Sequence, residues 1–121
     1  MTVAVWVGVA LVGGLGAVAR FLVDRAVGRR LARPFPFGTL AVNISGAVLL
    51  GFVGGLTLSH DVALLAGTAF VGAYTTFSTW MLETHRLAEE RQIWPAVANI
   101  VISVVLGVAA ALLGQWAASF V

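Results

Sequence analysis

Polar residues recur at helical spacing inside otherwise apolar sequence, and their chemistry is that of neutral hydrogen-bond donors. Thr39 and Asn43 stand four apart, with Ser45 close behind, so a helix would carry Thr39 and Asn43 on one face. Asn99, Ser103 and Gly107 repeat the device at two further four-residue steps. An Asn amide offers two N–H donors and a carbonyl acceptor without a charge. Such a stripe suits two roles: hydrogen bonds that glue one helix to another, or a track that replaces part of an anion's hydration shell. An amide buried in hydrocarbon without any partner costs several kcal/mol by order of magnitude, so one of the two roles must be filled.

The densest polar segment is Gly72-Ala73-Tyr74-Thr75-Thr76-Phe77-Ser78-Thr79-Trp80. Thr and Ser hydroxyls compete for backbone hydrogen bonds, and a glycine nearby lets a helix unwind. The segment therefore predicts a break in a helix. Unwound backbone at membrane depth must be buried in protein or line a cavity, where its freed carbonyls can bind a cation. Phe77 and Trp80 stand three apart. Their ring edges, positive through the ring quadrupole, can face an anion or simply pack in a core. Arg20 can snorkel to the interface or make the mouth of a path electropositive.

Covalent catalysis finds no support. The sequence has no HExxH, GxSxG or Walker loop and no paired intramembrane carboxylates, so the pattern does not point to an enzyme. His60 and His85 fall in connecting segments on opposite sides by the topology derived below and read as solvated loop residues. A proton-coupled transporter would need an ionisable relay, for which Arg20 and Glu83, both near helix ends, are the candidates. A small structural or assembly subunit of a membrane complex would explain abundant glycine but leaves the polar stripes without a role.

Four apolar stretches must position these groups: residues 3–23, 37–58, 62–82 and 94–120. Each is about as long as the ~20 residues that cross a hydrocarbon core as helix. The first lacks a basic leader and ends in Arg20 rather than a small-residue cleavage site, so it reads as a retained helix. Pro34 and Pro36 end any helix in the first connection. The second connection is little more than Ser59-His60-Asp61, and the third is a polar collar over residues 83–92. With four spans, all seven arginines fall on one side, shared by the first and third connections. The positive-inside rule places that side in the cytoplasm and both termini outside.

Composition agrees. Of 121 residues about 60% are apolar, 12 carry a formal charge and 14 are glycine, with a mean hydropathy of +1.02. A soluble domain would carry roughly 25% charged residues, and a disordered chain far less Val, Leu and Ala. The absence of cysteine excludes disulfides and thiolate metal sites. The basic excess is a few clustered arginines with no lysine, which indicates no nucleic-acid surface. Small residues crowd the first, second and fourth spans, including Gly51 and Gly55 at small-xxx-small spacing. They imply close helix approach, within one subunit or between two.

Taken together, these residues resemble the Fluc fluoride channels, also called CrcB proteins. Gly13-Gly14-Leu15-Gly16-Ala17-Val18-Ala19-Arg20 is similar to the family's GGxxGAxxR. The segment from Pro36 through Phe37-Gly38-Thr39-Leu40-Ala41-Val42-Asn43-Ile44-Ser45-Gly46 is similar to its P-x-GTLxVNxxG, and Thr75-Thr76-Phe77-Ser78-Thr79 to its TTFST core. The motifs fall in order on three of four spans, and the four-span layout matches the whole chain. The resemblance implies an all-α integral membrane protein with a broken third helix. It also implies an antiparallel dimer with two fluoride pores between subunits, exporting fluoride passively across the bacterial inner membrane.

The same resemblance implies that Asn43 is a pore donor and that Phe77 presents its edge to fluoride, with Trp80 in the place of the family's second pore phenylalanine. Trp80 offers ring edges and an indole N–H. Ser103 matches a serine of the fourth helix, and Asn99 stands where that helix often has tyrosine. Thr39, Ser78 and Thr79 would lie along the path, and Arg20 at the aqueous vestibule. A structural sodium ion at the dimer centre would be held by backbone carbonyls at positions corresponding to Gly72 and Thr75, with Ala73 replacing a second glycine of the break. A chain that inserts both ways should carry little arginine bias. The seven-to-none bias therefore favours a heterodimer with an oppositely oriented relative over a homodimer.

Overall fold

The computed structural model describes residues 2–121. All of its regular structure is helical. Helix α1 covers Val3–Arg30, α2 Phe37–Gly55, α3 His60–Ala63, α4 Gly72–Tyr74, α5 Ser78–Glu89 and α6 Ile93–Ala118, with a π-helical stretch, Leu64–Val71, joining α3 to α4. Four helical units, Val3–Arg30, Phe37–Gly55, His60–Glu89 and Ile93–Ala118, are long and apolar enough to cross a membrane. The third unit is composite, made of α3, the π-helical stretch, α4 and α5.

Helix α1 runs to Arg30, seven residues past the expected end at Val23. Nothing between Asp24 and Arg30 disfavours helix, and Gly28 alone is too weak to stop it. The stop waits for the prolines at 34 and 36. The third unit likewise carries helix through the polar residues 83–89 that composition assigned to a connection. It then ends in a Schellman arrangement, with Arg91 N–H donating to Ala88 O at 3.1 Å and Gln92 N–H to Leu87 O at 2.8 Å. The geometry demands a left-handed residue between them, and Arg91 fills that place at φ 60°. The second helix stops at Gly55, before the expected 58, and α6 covers 93–118 in place of 94–120.

Glycines set the packing, and none of them has a positive φ. Their role is close approach. A Cβ on Gly51 would overlap the backbone carbonyl of Ala111, and one on Gly114 would overlap Val48 O and lie 2.7 Å from Phe52 N. At Gly55 it would lie 2.7 Å from Ala118 Cβ. Helices α2 and α6 therefore run parallel with backbones in contact, which assigns the Gly51/Gly55 spacing to packing within one subunit. Gly16 does the same for α1, where a Cβ would sit 2.5 Å from Phe70 O in the π-helical stretch. Gly14, Gly54 and Gly72 face open space.

The true core is small: Val42 and Leu87 are essentially inaccessible, as is Asn99. Meanwhile Leu11, Leu15, Val18 and Leu22 on α1, and Val101, Val105 and Leu112 on α6, are each more than half exposed. Apolar surface on that scale needs lipid or a partner chain against it. Trp6 and Trp116 sit near one end of the bundle and Trp94 near the other, all largely exposed, as aromatic residues do at the two membrane–water boundaries.

A neutral cavity at the interruption of the third span

Between Tyr74 and Ser78 the third unit leaves the helical path. Thr75 is extended at φ −84°, ψ 160°, and helix resumes at Ser78. Asn43 compensates the backbone. Its Nδ2 donates to Thr76 O at 2.8 Å, while Thr76 N–H donates to Asn43 Oδ1 at 2.8 Å. One side chain on α2 thus satisfies both polar groups of one residue of the segment, which answers part of the accounting that buried backbone requires. The amide keeps a second N–H for another acceptor. Thr76 Oγ1 receives Thr79 N–H at 3.2 Å and donates to Thr79 Oγ1 at 3.0 Å, which caps the restart of α5.

A cavity of about 290 Å³ opens beside this segment, lined among others by Asn43, Thr75, Phe77, Trp80 and Ser103. None of its lining residues carries a charge. Phe77 and Trp80 meet edge to face, with centroids 5.7 Å apart and planes at 84°. Phe77 is 70% exposed, an unusual setting for a phenylalanine at mid-span that stands in a cavity wall. Four of the residues that the sequence singled out, Asn43, Phe77, Trp80 and Ser103, therefore line one cavity.

The others are placed differently. Thr39 is buried and donates from Oγ1 to Glu83 Oε1 at 2.5 Å. Asn99 is 1% exposed and donates from Nδ2 to Thr84 Oγ1 at 2.9 Å, and Thr84 Oγ1 in turn donates to Trp80 O at 2.8 Å. The Trp80 indole N–H, read from sequence as an available donor, is engaged: it donates to Asn99 O at 3.1 Å. Trp80 is left with its ring edges. Ser78 is exposed and Thr79 is half-buried at the start of α5. Arg20 lies toward the basic end of α1, with its Nε buried and unpartnered among the described residues.

Glu83, Thr84 and Tyr74 were not singled out as pathway residues, yet they fasten the site. Glu83 anchors Thr39, Thr84 bridges Asn99 to α5, and Tyr74 OH meets Ser45 Oγ at 2.9 Å. The available signal was spacing. Thr84 follows Trp80 by four, and Ser45 lies on the same helix as Asn43.

Four apolar helices long enough to span a membrane, three of which line a cavity without charged residues, define a small multi-pass helical membrane protein. The chain belongs to the CrcB family: residues 7–115 match the family described as CrcB-like protein, Camphor Resistance (CrcB). It is 73% identical over 118 residues to a protein of Mycobacterium tuberculosis named fluoride-specific ion channel FluC 2, with 98% of this chain and 94% of that protein covered. A Mycolicibacterium paratuberculosis protein of the same name is 73% identical over 120 residues, covering 99% and 98%. A Leifsonia xyli protein named fluoride-specific ion channel FluC 1 is 43% identical over 120 residues, covering 96% and 88%.

Proposed function

We propose that this chain forms a fluoride-selective channel of the bacterial inner membrane that lets fluoride leave the cytoplasm down its gradient. The observation that carries the reading is the uncharged cavity lined by Asn43, Ser103, Phe77 and Trp80, with one Asn43 N–H left over from its bond to Thr76 O. Its support from relatives is the shared name of the proteins it resembles most of its length.

The chemistry follows from the lining. A fluoride ion entering low dielectric must exchange water for other positive groups. Neutral N–H and O–H donors and ring edges supply them without a fixed charge that would hold the ion in place. Asn43 is kept in position by its reciprocal bonds to Thr76, so one amide orients the interrupted backbone and presents a donor to the path. Thr39, Ser78, Thr79 and Asn99 extend or support the path, and Arg20 raises the anion concentration at its mouth.

The exposed face of Phe77 and the open glycines 14, 54 and 72 support pore completion by a second subunit, inserted antiparallel, with two pores between the pair. The break in the third span is the element that both subunits would share. A sodium ion fits there. The Thr76 N–H that would close the helix onto Gly72 O goes to Asn43 instead, and Thr75 is extended. Gly72 and Thr75 together border a second, open groove on this face. Their carbonyl oxygens would hold the ion, an oxygen-only donor set suited to a hard cation, which would draw two interrupted helices together.

The seven arginines support a single orientation with the basic end in the cytoplasm, and hence a partner of opposite bias. Relatives numbered FluC 1 and FluC 2 fit such pairing. Fluoride flux from the chain reconstituted alone would instead assign the partner role to a second copy.

Phe77→Ile tests the cavity reading. It keeps apolar bulk but removes the ring edge, and fluoride efflux from proteoliposomes, followed with a fluoride electrode, should fall by about tenfold or more, the worth of an aromatic contact of about 1.5 kcal/mol. Unchanged efflux in Phe77→Ile would show that the ring edge takes no part.

A further inference from the structure

At the basic end, a second apolar cavity lies away from the proposed fluoride path. It is an open apolar groove of about 620 Å³ whose walls include Arg33, Phe35, Phe37, Trp94, Ala98 and Ile102. From this groove, in the helical bundle of a membrane protein, we infer a binding site for one anionic phospholipid, with an acyl chain in the groove and the phosphate on Arg33.

Three observations carry it. The groove starts at the membrane boundary and runs into the apolar span. Trp94, 80% exposed, stands at its mouth, and Ile102 lies two turns further along α6. A tilted aromatic pair, Phe35 and Phe37 with centroids 4.9 Å apart, forms the other wall. That shape accepts a chain of methylenes.

Second, the groove has a cation of its own that no carboxylate of the described residues pairs. Among the described residues the one ion pair is His85 with Glu89, so no arginine is paired with a carboxylate. Arg33 lines the groove itself, Arg29 and Arg30 end α1 one short loop away, and Arg91 directly precedes the groove residue Gln92.

Third, α2 and α6 both begin at this groove, at Phe37 and Ile93, and neither has a side-chain cap. The N-cap residues are Pro36 and Gln92; the Asp24 carboxylate packs against Gly38 in the first turn of α2, whereas the first turn of α6 holds no acidic residue. Such an end favours a phosphate. An uncharged or zwitterionic lipid would gain from the groove alone, whereas an anionic one gains from the groove, the arginine and the start of α6.

Native mass spectrometry of the detergent-solubilised full chain, titrated with phosphatidylglycerol or phosphatidylcholine of identical acyl chains, tests the site. Phosphatidylglycerol should bind the native protein roughly fivefold or more tightly than phosphatidylcholine, the worth of one arginine near a lipid surface. Arg33→Gln, on an exposed loop, should erase most of that preference. Arg25→Gln, at a residue whose guanidinium lies over Phe21 at 5.9 Å, should retain it. Ile102→Trp should weaken binding of both lipids by filling the groove.

Equal affinity for the two lipids would overturn the proposal. So would an equal loss of preference in Arg25→Gln and Arg33→Gln, which would mean a diffuse basic surface. A fall in dimer content in Ile102→Trp with lipid preference intact would give the groove to a second subunit, and the proposal would fail there too.

Discussion

Asn43→Ala is expected to cut fluoride efflux by about tenfold to a hundredfold, because a hydrogen bond to a charged group is worth about 1.5–3 kcal/mol. The same change strips Thr76 of partners for both its N–H and its carbonyl. Each unsatisfied backbone group costs about 1–3 kcal/mol, so thermal unfolding in detergent should also move to lower temperature. Asn43→Asp is nearly isosteric. Its carboxylate still accepts from Thr76 N–H, but it cannot donate to Thr76 O, offers the anion no donor and adds a negative charge, so efflux and stability should both fall at least as far as in Asn43→Ala. Efflux close to native in Asn43→Asp would remove Asn43 from the path and leave it a helix-joining role.

Gly114→Val is the second large effect, and it acts on the fold. The added branches must displace Val48 O and Phe52 N of α2, both backbone, and backbone cannot rotate away as a side chain can. Overpacking of a well-filled contact costs about 1–3 kcal/mol and occasionally more. Here two helices must separate along the pair of spans that hold Asn43 and Ser103. The variant should lose its monodisperse peak on size-exclusion chromatography, and Gly51→Val should behave alike through Ala111. Gly28→Val, at a position where an added Cβ meets nothing within 4 Å, is the control for residue type and should remain monodisperse. A folded, monodisperse Gly114→Val would show that the α2–α6 approach is looser than described.

The sequence carried the spans well, because a run of about twenty apolar residues has few structural readings. Their ends were harder. Asp24 to Arg30 looks like a loop by charge, yet helix formation in Arg, Ala and Val needs no apolar surroundings, and α1 continues until proline intervenes. The π-helical stretch at Leu64–Val71 had no signature at all, since its residues are as apolar as the helix around them.

Within the site, helical periodicity gave direction. Thr39 and Asn43 both turn toward the third span, as do Asn99 and Ser103. Periodicity could not say which partner each meets. Of the two stripes, Asn43 and Ser103 reach the cavity, whereas Thr39 and Asn99 close onto Glu83 and Thr84. A carboxylate at a helix end reads as interfacial from sequence alone, and only the packing of α2 against α5 reveals Glu83 as the anchor of Thr39. The gathering of Phe77 and Trp80 with Asn43 was implied by family resemblance, and no spacing rule would have produced it.

On the proposed function, an uncharged path conducts fluoride selectively and without coupling. The most direct test is ion efflux from liposomes that hold this chain, alone or with a relative of opposite arginine bias, read with fluoride and chloride electrodes in parallel and with internal pH monitored. Rapid fluoride efflux with chloride retained, and no proton movement beyond that which fluoride's own charge balance requires, is the expected result. Equal loss of both anions, fluoride movement that requires an imposed proton gradient, or no fluoride movement in either reconstitution would contradict it.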